Sequence, residues 1–194
     1  MEFTGFDIET SGLMNDSESF VSIIGMLDCD GMRQFTGGYA DFNKFGKETE
    51  KRILTEFLLN LPKSPILTYN GLNFDVPFLK RSFSRFEWDD GFKEKIEYFY
   101  SLRQLDIAKF CFGLFGRKVS KDEACWRICG VYMPRTTDGF YTARTYNCGC
   151  LEEDEHYRNI FHNSVDLVAT VRMHLSLLKY SDYREFVKSE GFEL

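Results

Sequence analysis

The sequence predicts an α/β fold, because β-type segments dominate its N-terminal part and helical spacing dominates the rest. Residues 2 to 8, 20 to 27 and 32 to 39 have the composition of strands. The segment Asp28-Cys29-Asp30-Gly31 supplies turn residues between the second and third of these strands, which predicts a hairpin. A packed core is expected, since 43% of the residues are hydrophobic and the chain has 20 Phe and 10 Tyr.

Helices are predicted from apolar residues at helical spacing and from residues that end helices. The first closes at Pro62 and has five apolar residues at that spacing: Ile53, Leu54, Phe57, Leu58 and Leu61. A short strand near residues 66 to 69 leads into a helix that carries Asp75, and Pro77 is tolerated in its first turn. An extended segment over residues 102 to 106 then precedes a helix over residues 107 to 115.

Two more helices and an irregular segment are predicted in the C-terminal part. Ser120 and Glu123 form a capping-box pattern that opens a helix over residues 121 to 129, and Gly130 ends it. A long final helix is predicted over residues 157 to 180. Residues 131 to 156 are the least regular segment, and we expect them to form a substrate-facing loop.

Length and segment composition predict one domain over residues 1–194, without an internal repeat or a linker. No run of about 18 apolar residues is present, so no membrane span is expected. The N-terminus lacks the basic and apolar segments of a secretory signal, which predicts a cytoplasmic protein. Nothing in the sequence indicates an oligomeric state.

The six cysteines allow more than one interpretation. Cys125 and Cys129 are one helical turn apart, and Cys148 and Cys150 form a close pair in the irregular segment. A four-thiolate metal site is one interpretation and a disulfide is another, although the spacing is not that of a standard zinc site. In a cytoplasmic protein we expect reduced and mostly buried thiols.

Four acidic residues lie in contexts that suit metal ligands. Asp7 and Glu9 are two residues apart in a predicted strand, so both point to the same face. Asp75 lies where a turn becomes a helix, and Asp166 shares a helical face with His162, four residues earlier. Like charges repel unless a cation lies between them, and Mg²⁺ and Mn²⁺ prefer oxygen ligands. The sequence therefore predicts a divalent metal site.

The order of these motifs resembles the DEDD superfamily of 3'→5' exonucleases, whose ribonuclease H-like fold has a mixed central sheet flanked by helices. The first family motif, Asp-x-Glu, is matched by Asp7 and Glu9. The second has an Asn, three residues and then Phe-Asp, and is matched by Asn70, Phe74 and Asp75. The third ends in an Asp, which is matched by Asp166. The resemblance runs from about residue 3 to about residue 174.

Within that superfamily, the chain is similar to the YprB-type ribonuclease-H-like domains. Those domains have a His-Asn pair before the last Asp, matched by His162 and Asn163, and a Pro-containing stretch like Val131-Tyr132-Met133-Pro134-Arg135 before it. The Tyr subgroup of the superfamily has a Tyr four residues before the last Asp, and the His subgroup has a His five residues before. His162 is a histidine at the tyrosine spacing, and the resemblance implies it as the general base.

The resemblance implies hydrolysis of nucleic acid from an unpaired 3' end with two Mg²⁺ or Mn²⁺ ions. Two ions about 4 Å apart can hold the attacking water and the departing 3' oxygen. The expected ligands are Asp7, Glu9, Asp75 and Asp166, with Asp7 bridging. His162 would accept the proton of the water, since histidine titrates near neutral pH. Asn70, Phe74 and Thr10 are the expected substrate-binding residues.

The net charge of −6 contrasts with the basic surface that nucleic-acid binding normally uses. Two bound divalent ions would reduce it to about −2 in the working state. Two local clusters are candidates for phosphate contact, although each could equally be a solvated helix face. Their residues are Lys80, Arg81 and Arg85 in one cluster and Arg117, Lys118 and Lys121 in the other.

Other readings of these residues stay open from the sequence. The same metal site could serve a structure-specific endonuclease or flap nuclease, or the chain could be a non-catalytic nucleic-acid-binding module. Asp75 could only cap its helix, and His162 could be a surface histidine that contacts Asp166. Asp106 is expected to cap the helix that follows it rather than to bind metal, and His174 is expected to be structural.

Overall fold

A computed structural model of the protein describes residues 3–134, 145–146 and 151–193. In this part of the chain, one five-stranded sheet has the order β3-β2-β1-β4-β5. Its strands are β1 (Thr4–Thr10), β2 (Val21–Asp28), β3 (Gly31–Thr36), β4 (Ile66–Thr68) and β5 (Gln104–Asp106). The helices named below are α1 (Tyr39–Leu59), α2 (Asp75–Ser84), α3 (Asp90–Ser101), α4 (Ile107–Phe115), α5 (Lys121–Cys129), α6 (Glu153–Leu177) and α7 (Ser181–Ser189).

The sheet is mixed, as the resemblance implied. β1, β2 and β3 pair antiparallel, whereas β4 pairs parallel to β1 and β5 parallel to β4. The predicted hairpin turn is confirmed, with Gly31 at a φ of 118° that a glycine adopts without strain. Parallel pairing requires crossover connections, and α1 and the segment from α2 to α3 supply them.

β1 is the central strand, and its alternation decides which side chains reach the site. Every residue from Thr4 to Thr10 is buried. Phe6 and Ile8 face one hydrophobic cluster, whereas Asp7 and Glu9 face the opposite side of the sheet. α6 covers that opposite side. Its Val171 side chain lies so close to Gly5 that a Cβ added at Gly5 would be only 2.8 Å away.

Two hydrophobic clusters pack on the sheet. One unites β1, β2 and β3 with α1, α2 and α3, around Phe6, Phe57 and Phe99. The other unites β4 and β5 with α4, α5, α6 and α7, around Leu105, Met173 and Tyr183. Helices cover both faces of the sheet, which is the layered arrangement expected of an α/β fold.

The helix α3 was not anticipated from the sequence. Asp89 begins it, since its side chain accepts a hydrogen bond from the Phe92 backbone nitrogen at 3.0 Å. Phe92, Ile96 and Phe99 then pack toward the first cluster. A cap residue followed by apolar residues at helical spacing is the signal that would have predicted this helix.

The prediction of one final helix over residues 157 to 180 was wrong at both ends. α6 begins earlier, at Glu153, and the Glu152 backbone nitrogen donates to the Glu155 carboxylate at 3.2 Å. Acidic residues in the first turn stabilise this extension because they face the positive end of the helix dipole. α6 ends at Leu177, and α7 folds back on it through a 2.8 Å hydrogen bond between His174 and Tyr183.

Only the Ser120 half of the capping box predicted for α5 is present. The Ser120 hydroxyl accepts from the Glu123 backbone nitrogen at 3.2 Å, and Gly130 ends the helix in a left-handed conformation. The Glu123 carboxylate instead accepts from Arg117 and Arg127, which replaces the reciprocal half of the predicted capping box. Most of the expected substrate-facing loop, residues 135–144 and 147–150, lies outside the described residues.

Among the described residues, no helix has the length and apolar composition needed to cross a membrane.

Candidate functional site

Asp7 and Glu9 lie on the face of β1 that α6 covers. The cross-strand partner of Asp7 is Gly25, which has no side chain to fill the space above it. A Cβ at Gly25 would lie 2.0 Å from the Asn163 side chain, so this glycine makes room for a residue of α6. The register of β1 on β2 shifts between Glu9 and Thr10, an irregularity that often occurs beside functional sites.

Asp75 is the first residue of α2 and is tied to β1. Its Oδ1 accepts a hydrogen bond from the Ile8 backbone nitrogen at 2.9 Å. Ile8 lies between Asp7 and Glu9, so this bond holds the second motif against the first. The N-cap residue of α2 is Phe74, without a side-chain cap, so the simpler reading of Asp75 as only a helix cap does not describe what its carboxylate does.

Asp166 and Asn163 come from α6. The Asn163 side-chain nitrogen donates to Asp7 Oδ2 at 2.9 Å, and the Asn163 side-chain oxygen accepts from Gln34 at 2.9 Å. Asn163 is fully buried, so both of its polar ends are satisfied inside the protein. The Gln34–Asn163–Asp7 chain fixes the orientation of the Asp7 carboxylate.

Lys121 brings a positive charge into the middle of this acidic site. Its Nζ lies 2.6 Å from Asp7 Oδ1 and 2.7 Å from Asp166 Oδ2. The side chains of Lys121, Asp7 and Asp166 keep only 14%, 11% and 18% of their exposure. Lys121 was expected in a basic surface cluster, and its contacts place it instead inside the carboxylate site.

Burial and mutual repulsion act on the protonation of the acids. Burial raises the pKa of Asp7, although Lys121 opposes the rise. Burial, followed by repulsion from Asp7 and Asp166, raises the pKa of Glu9 well above its usual value. Burial and the charge of Asp7 raise the pKa of Asp75 to about 8. For Lys121, burial alone would lower the pKa, but the attraction of Asp166 and Asp7 outweighs burial and raises it.

These carboxylates fit divalent metal ions as ligands. Glu9 is 7% exposed, and no residue in the described ranges donates a hydrogen bond to its carboxylate. A buried carboxylate without a donor is costly, and a cation is the partner that would remove the cost. In the described residues, no three acidic, His or Cys side chains already surround a common metal position. The ammonium of Lys121 stands between two of the acids instead.

His162 lies on the same helix, four residues before Asp166. It is half-buried and close enough to Asp7 that its positive form would lower the Asp7 pKa. This neighbourhood is compatible with the predicted role as a base. The role itself stays a prediction.

The expected substrate residues lie around the second motif. Asn70 is exposed and adopts a left-handed backbone with a φ of 66°, which asparagine tolerates better than most residues. Phe74 is partly buried against Phe78, with ring centroids 5.7 Å apart. Thr10 is 7% exposed, and its hydroxyl donates to the Gly12 carbonyl at 2.7 Å. Contact with substrate therefore remains a prediction for all three.

Asp106 organises the loop that carries Asn70. As predicted, it caps α4, with Oδ1 accepting from the Ala108 backbone nitrogen at 3.0 Å. The same carboxylate accepts from the backbone nitrogens of Asn70 at 2.7 Å and Leu72 at 3.2 Å. All three donors are backbone groups, so Asp106 fixes the conformation of the second motif.

Most residues of the two basic clusters have structural partners. Arg81 donates to the carbonyls of Met14, Asp16 and Ser19, and so it holds the loop between β1 and β2. Arg85 pairs with Glu50 at 3.2 Å. The guanidinium groups of these two arginines already have partners inside the protein, and phosphate contact by them stays a prediction. Lys80 and Lys118 are the exposed lysines of the two clusters.

A cleft of about 640 Å³ lies beside the acidic site. Asn70, Asn73, Lys118 and Lys121 line it, together with Phe112, which is 54% exposed. Lysines and an exposed ring are the groups that bind phosphates and stack on bases. The cleft therefore joins the acidic site to a surface that suits a nucleic-acid strand.

The cysteines are only partly covered by the described residues. Cys125 is buried and Cys129 is partly buried, and neither forms a disulfide there. Cys148 and Cys150 lie outside the described residues. The four-cysteine metal site thus stays an untested interpretation.

Sequence reasoning missed the roles of Gln34, Gly25 and Lys121. Gln34 lies on β3, and only the sheet order brings it to α6. For Gly25, the signal in the sequence was a glycine inside the strand that precedes the hairpin. A glycine inside a strand often marks a place where another part of the chain or a ligand comes close.

Comparison with known proteins agrees with this architecture. The fold is similar to that of the family B DNA polymerase from the hyperthermophilic archaeon Pyrobaculum calidifontis, with a TM-score of 0.63 and 13% identity. The match covers 92% of this chain and 24% of the polymerase chain, so it concerns the fold of one part of that protein. No curated protein matches the chain. A family model described as the RNase_H superfamily matches residues 5–178, and the protein therefore belongs to the RNase H superfamily.

Proposed function

We propose that the protein is a metal-dependent 3'→5' exonuclease of the DEDD type, related to the YprB-type domains, that hydrolyses phosphodiester bonds of nucleic acid. The observation that carries the proposal is the convergence of Asp7, Glu9, Asp75 and Asp166. Three separate elements bring these acids so close that their charges act on one another. We further propose that residues 1–194 form a single cytoplasmic domain.

The four carboxylates would hold two Mg²⁺ or Mn²⁺ ions. When bound, these ions would stabilise the negative charge that develops on the attacking and leaving oxygens. Asn163 keeps one oxygen of Asp7 oriented, and Ile8 does the same for Asp75. The chain thus provides prearranged oxygen ligands, and Glu9 offers a carboxylate that no described donor occupies.

His162 would accept the proton of the attacking water. It lies on the solvent-accessible side of α6, one turn from Asp166, and acts electrostatically on Asp7. A base must lie within hydrogen-bond reach of the water, and the electrostatic influence of His162 on Asp7 supports a place near the acids.

The cleft beside Lys121 would hold the last nucleotides of a single strand. Phe112 can stack on a base, and Lys118 can approach a phosphate. Asn70, Phe74 and Thr10 would position the terminal nucleotide nearer the metals. Unpaired 3' ends are the favoured substrate, because stacking on an aromatic residue then requires no separation from a partner strand.

Oligonucleotides labelled at the 5' end test this proposal. Linear single strands of DNA and RNA are incubated with Mg²⁺, Mn²⁺ or a chelator. We expect metal-dependent shortening in single-nucleotide steps and resistance of a 3'-phosphorylated strand. Efficient cutting of a circular single strand would contradict the exonuclease and favour the endonuclease. Binding of the strands without any cleavage would favour a non-catalytic module.

A further inference from the structure

Lys121 occupies the position between two acids where a shared cation would be expected. Its Nζ contacts one oxygen of Asp7 at 2.6 Å and one of Asp166 at 2.7 Å. These acids come from β1 and α6, which are far apart in the sequence. The ammonium therefore joins two elements that repulsion between buried carboxylates would otherwise separate.

Both oxygens of Asp7 already have a donor. Oδ1 accepts from Lys121, and Oδ2 accepts from Asn163. A divalent ion that bridges Asp7 Oδ1 and Asp166 Oδ2 would take the place of the ammonium. The ammonium and that ion cannot both lie between the same two oxygens, because they would overlap and repel.

We infer that Lys121 is a built-in counter-cation that holds the acidic site together before metal binds and that a divalent ion must displace. The inference rests on the metal-binding part of the proposed function. It adds that metal affinity is set by competition with a residue of the chain. Lys121 acts here by positioning the carboxylates.

The cleft beside the acidic site can receive the displaced Lys121 side chain. Lys121 begins α5 and also lines the cleft that contains Lys118 and Phe112. Rotation about the bonds of its flexible side chain can carry the ammonium from the acids into this cleft. Metal binding would thereby add a positive charge to the surface where a phosphate of the substrate would lie.

Amine labelling of the wild-type protein tests the displacement directly. An acylating reagent such as N-hydroxysuccinimidyl acetate is applied with and without saturating Mn²⁺, and labelled peptides are quantified by mass spectrometry. We expect labelling of Lys121 to rise severalfold with Mn²⁺, because its amine leaves the buried ion pair. Lys63, which is exposed and does not line the cleft, serves as the internal control and should be labelled equally in both states.

Lys121→Met tests the competition, with Lys63→Met as the matched control, because Lys63 is exposed and does not line the cleft. Without metal, the melting temperature of Lys121→Met should fall, because Asp7 and Asp166 lose their counter-charge. The Mn²⁺ concentration at half-maximal stabilisation should fall by about tenfold or more, which is a typical size of coupling between two binding events. Lys63→Met should match the wild type in both measurements.

The results separate this inference from the proposed function. Mn²⁺ binding that leaves Lys121 labelling unchanged would overturn the inference, as would equal or weaker Mn²⁺ binding by Lys121→Met. If Lys121→Met does not fold, the labelling of the wild type decides alone. Mn²⁺ binding and Lys121 release without any cleavage of oligonucleotides would contradict the nuclease and leave the inference intact. Absence of Mn²⁺ binding to both proteins would overturn the inference together with the metal site.

Discussion

The four carboxylates of the site differ in what holds them. Asp7 is fixed by Asn163 and Lys121, and Asp75 is fixed by the backbone of Ile8. Glu9 has no hydrogen-bond donor among the described residues. Removal of Asp7 would thus disturb several contacts at once, whereas removal of the Glu9 charge disturbs the electrostatics with the least change in bonding.

The proposed role of His162 as the general base can be tested by substitution. If it accepts the proton of the water, His162→Ala should lose about 10² to 10⁴ in the rate of cleavage. His162→Tyr should keep measurable activity, because the related Tyr subgroup has a tyrosine at this spacing. Single-turnover rates on a 5'-labelled strand measure both effects. Mn²⁺ binding, followed by thermal stabilisation, should persist in both variants because His162 is outside the ligand set.

An unchanged rate of His162→Ala from pH 6 to pH 8 would remove the base assignment. His162 would then be the surface histidine that the sequence also allowed.

At the scale of elements, most strands and the bounds of α4 and α5 were predicted from the sequence, whereas α3, α7 and the ends of α6 were not. Asp28 to Gly31 predicted the hairpin because turn residues act locally. The final helix was expected to reach residue 180, three residues beyond the end of α6, and α7 was not predicted. A 2.8 Å hydrogen bond between His174 and Tyr183 joins the two helices, and residue spacing alone does not reveal such a tertiary contact.

The link between α6 and α7 predicts a pH dependence of stability. His174 is 5% exposed, and burial lowers its pKa to about 4 from 6.5. The folded protein therefore keeps this ring neutral where the unfolded chain already binds a proton. Its contribution to stability is fully present above pH 6.5 and is lost as the pH falls toward 4.

The comparison of wild type with His174→Gln measures this effect. Urea unfolding should show that His174→Gln is less stable at pH 7, where the hydrogen bond to Tyr183 is lost. Lowering the pH from 7 to 5 should destabilise the wild type relative to the variant by up to about 2 kcal/mol. Parallel stability curves for the two proteins would show that His174 titrates alike in the folded and unfolded states.

At the scale of the whole molecule, the site exists because the sheet order brings distant segments together. Asp7 lies on the central strand, α2 begins beside it, and α6 covers the face of the strand that carries Asp7. The sequence predicted the four acids from their local contexts and from a family resemblance. It did not predict Lys121 among them, because a lysine after a capping serine is typical of a solvated helix. Only its burial between Asp7 and Asp166 distinguishes it.

The basic residues show the same limit of sequence reasoning. Arg81 and Arg85 follow the second motif as a phosphate-binding cluster would, yet they hold the loop between β1 and β2. Whether a charged side chain faces solvent or the backbone of a neighbouring loop depends on tertiary packing. Lys118 remains the residue of its cluster that lies exposed in the cleft.

Whether the buried carboxylates bind metal is tested most directly by Glu9→Gln, through its stabilisation by Mn²⁺ and its metal-dependent cleavage. The substitution keeps the shape of the side chain and removes one buried charge, so the metal-free protein should be at least as stable as the wild type. Stabilisation by Mn²⁺ should be largely lost, and Mg²⁺-dependent cleavage of a 5'-labelled single strand should fall by about 10² or more. Exposed Glu48 gives the control, Glu48→Gln, which should behave as the wild type. Wild-type Mn²⁺ stabilisation and wild-type cleavage by Glu9→Gln would contradict a metal site built on these carboxylates.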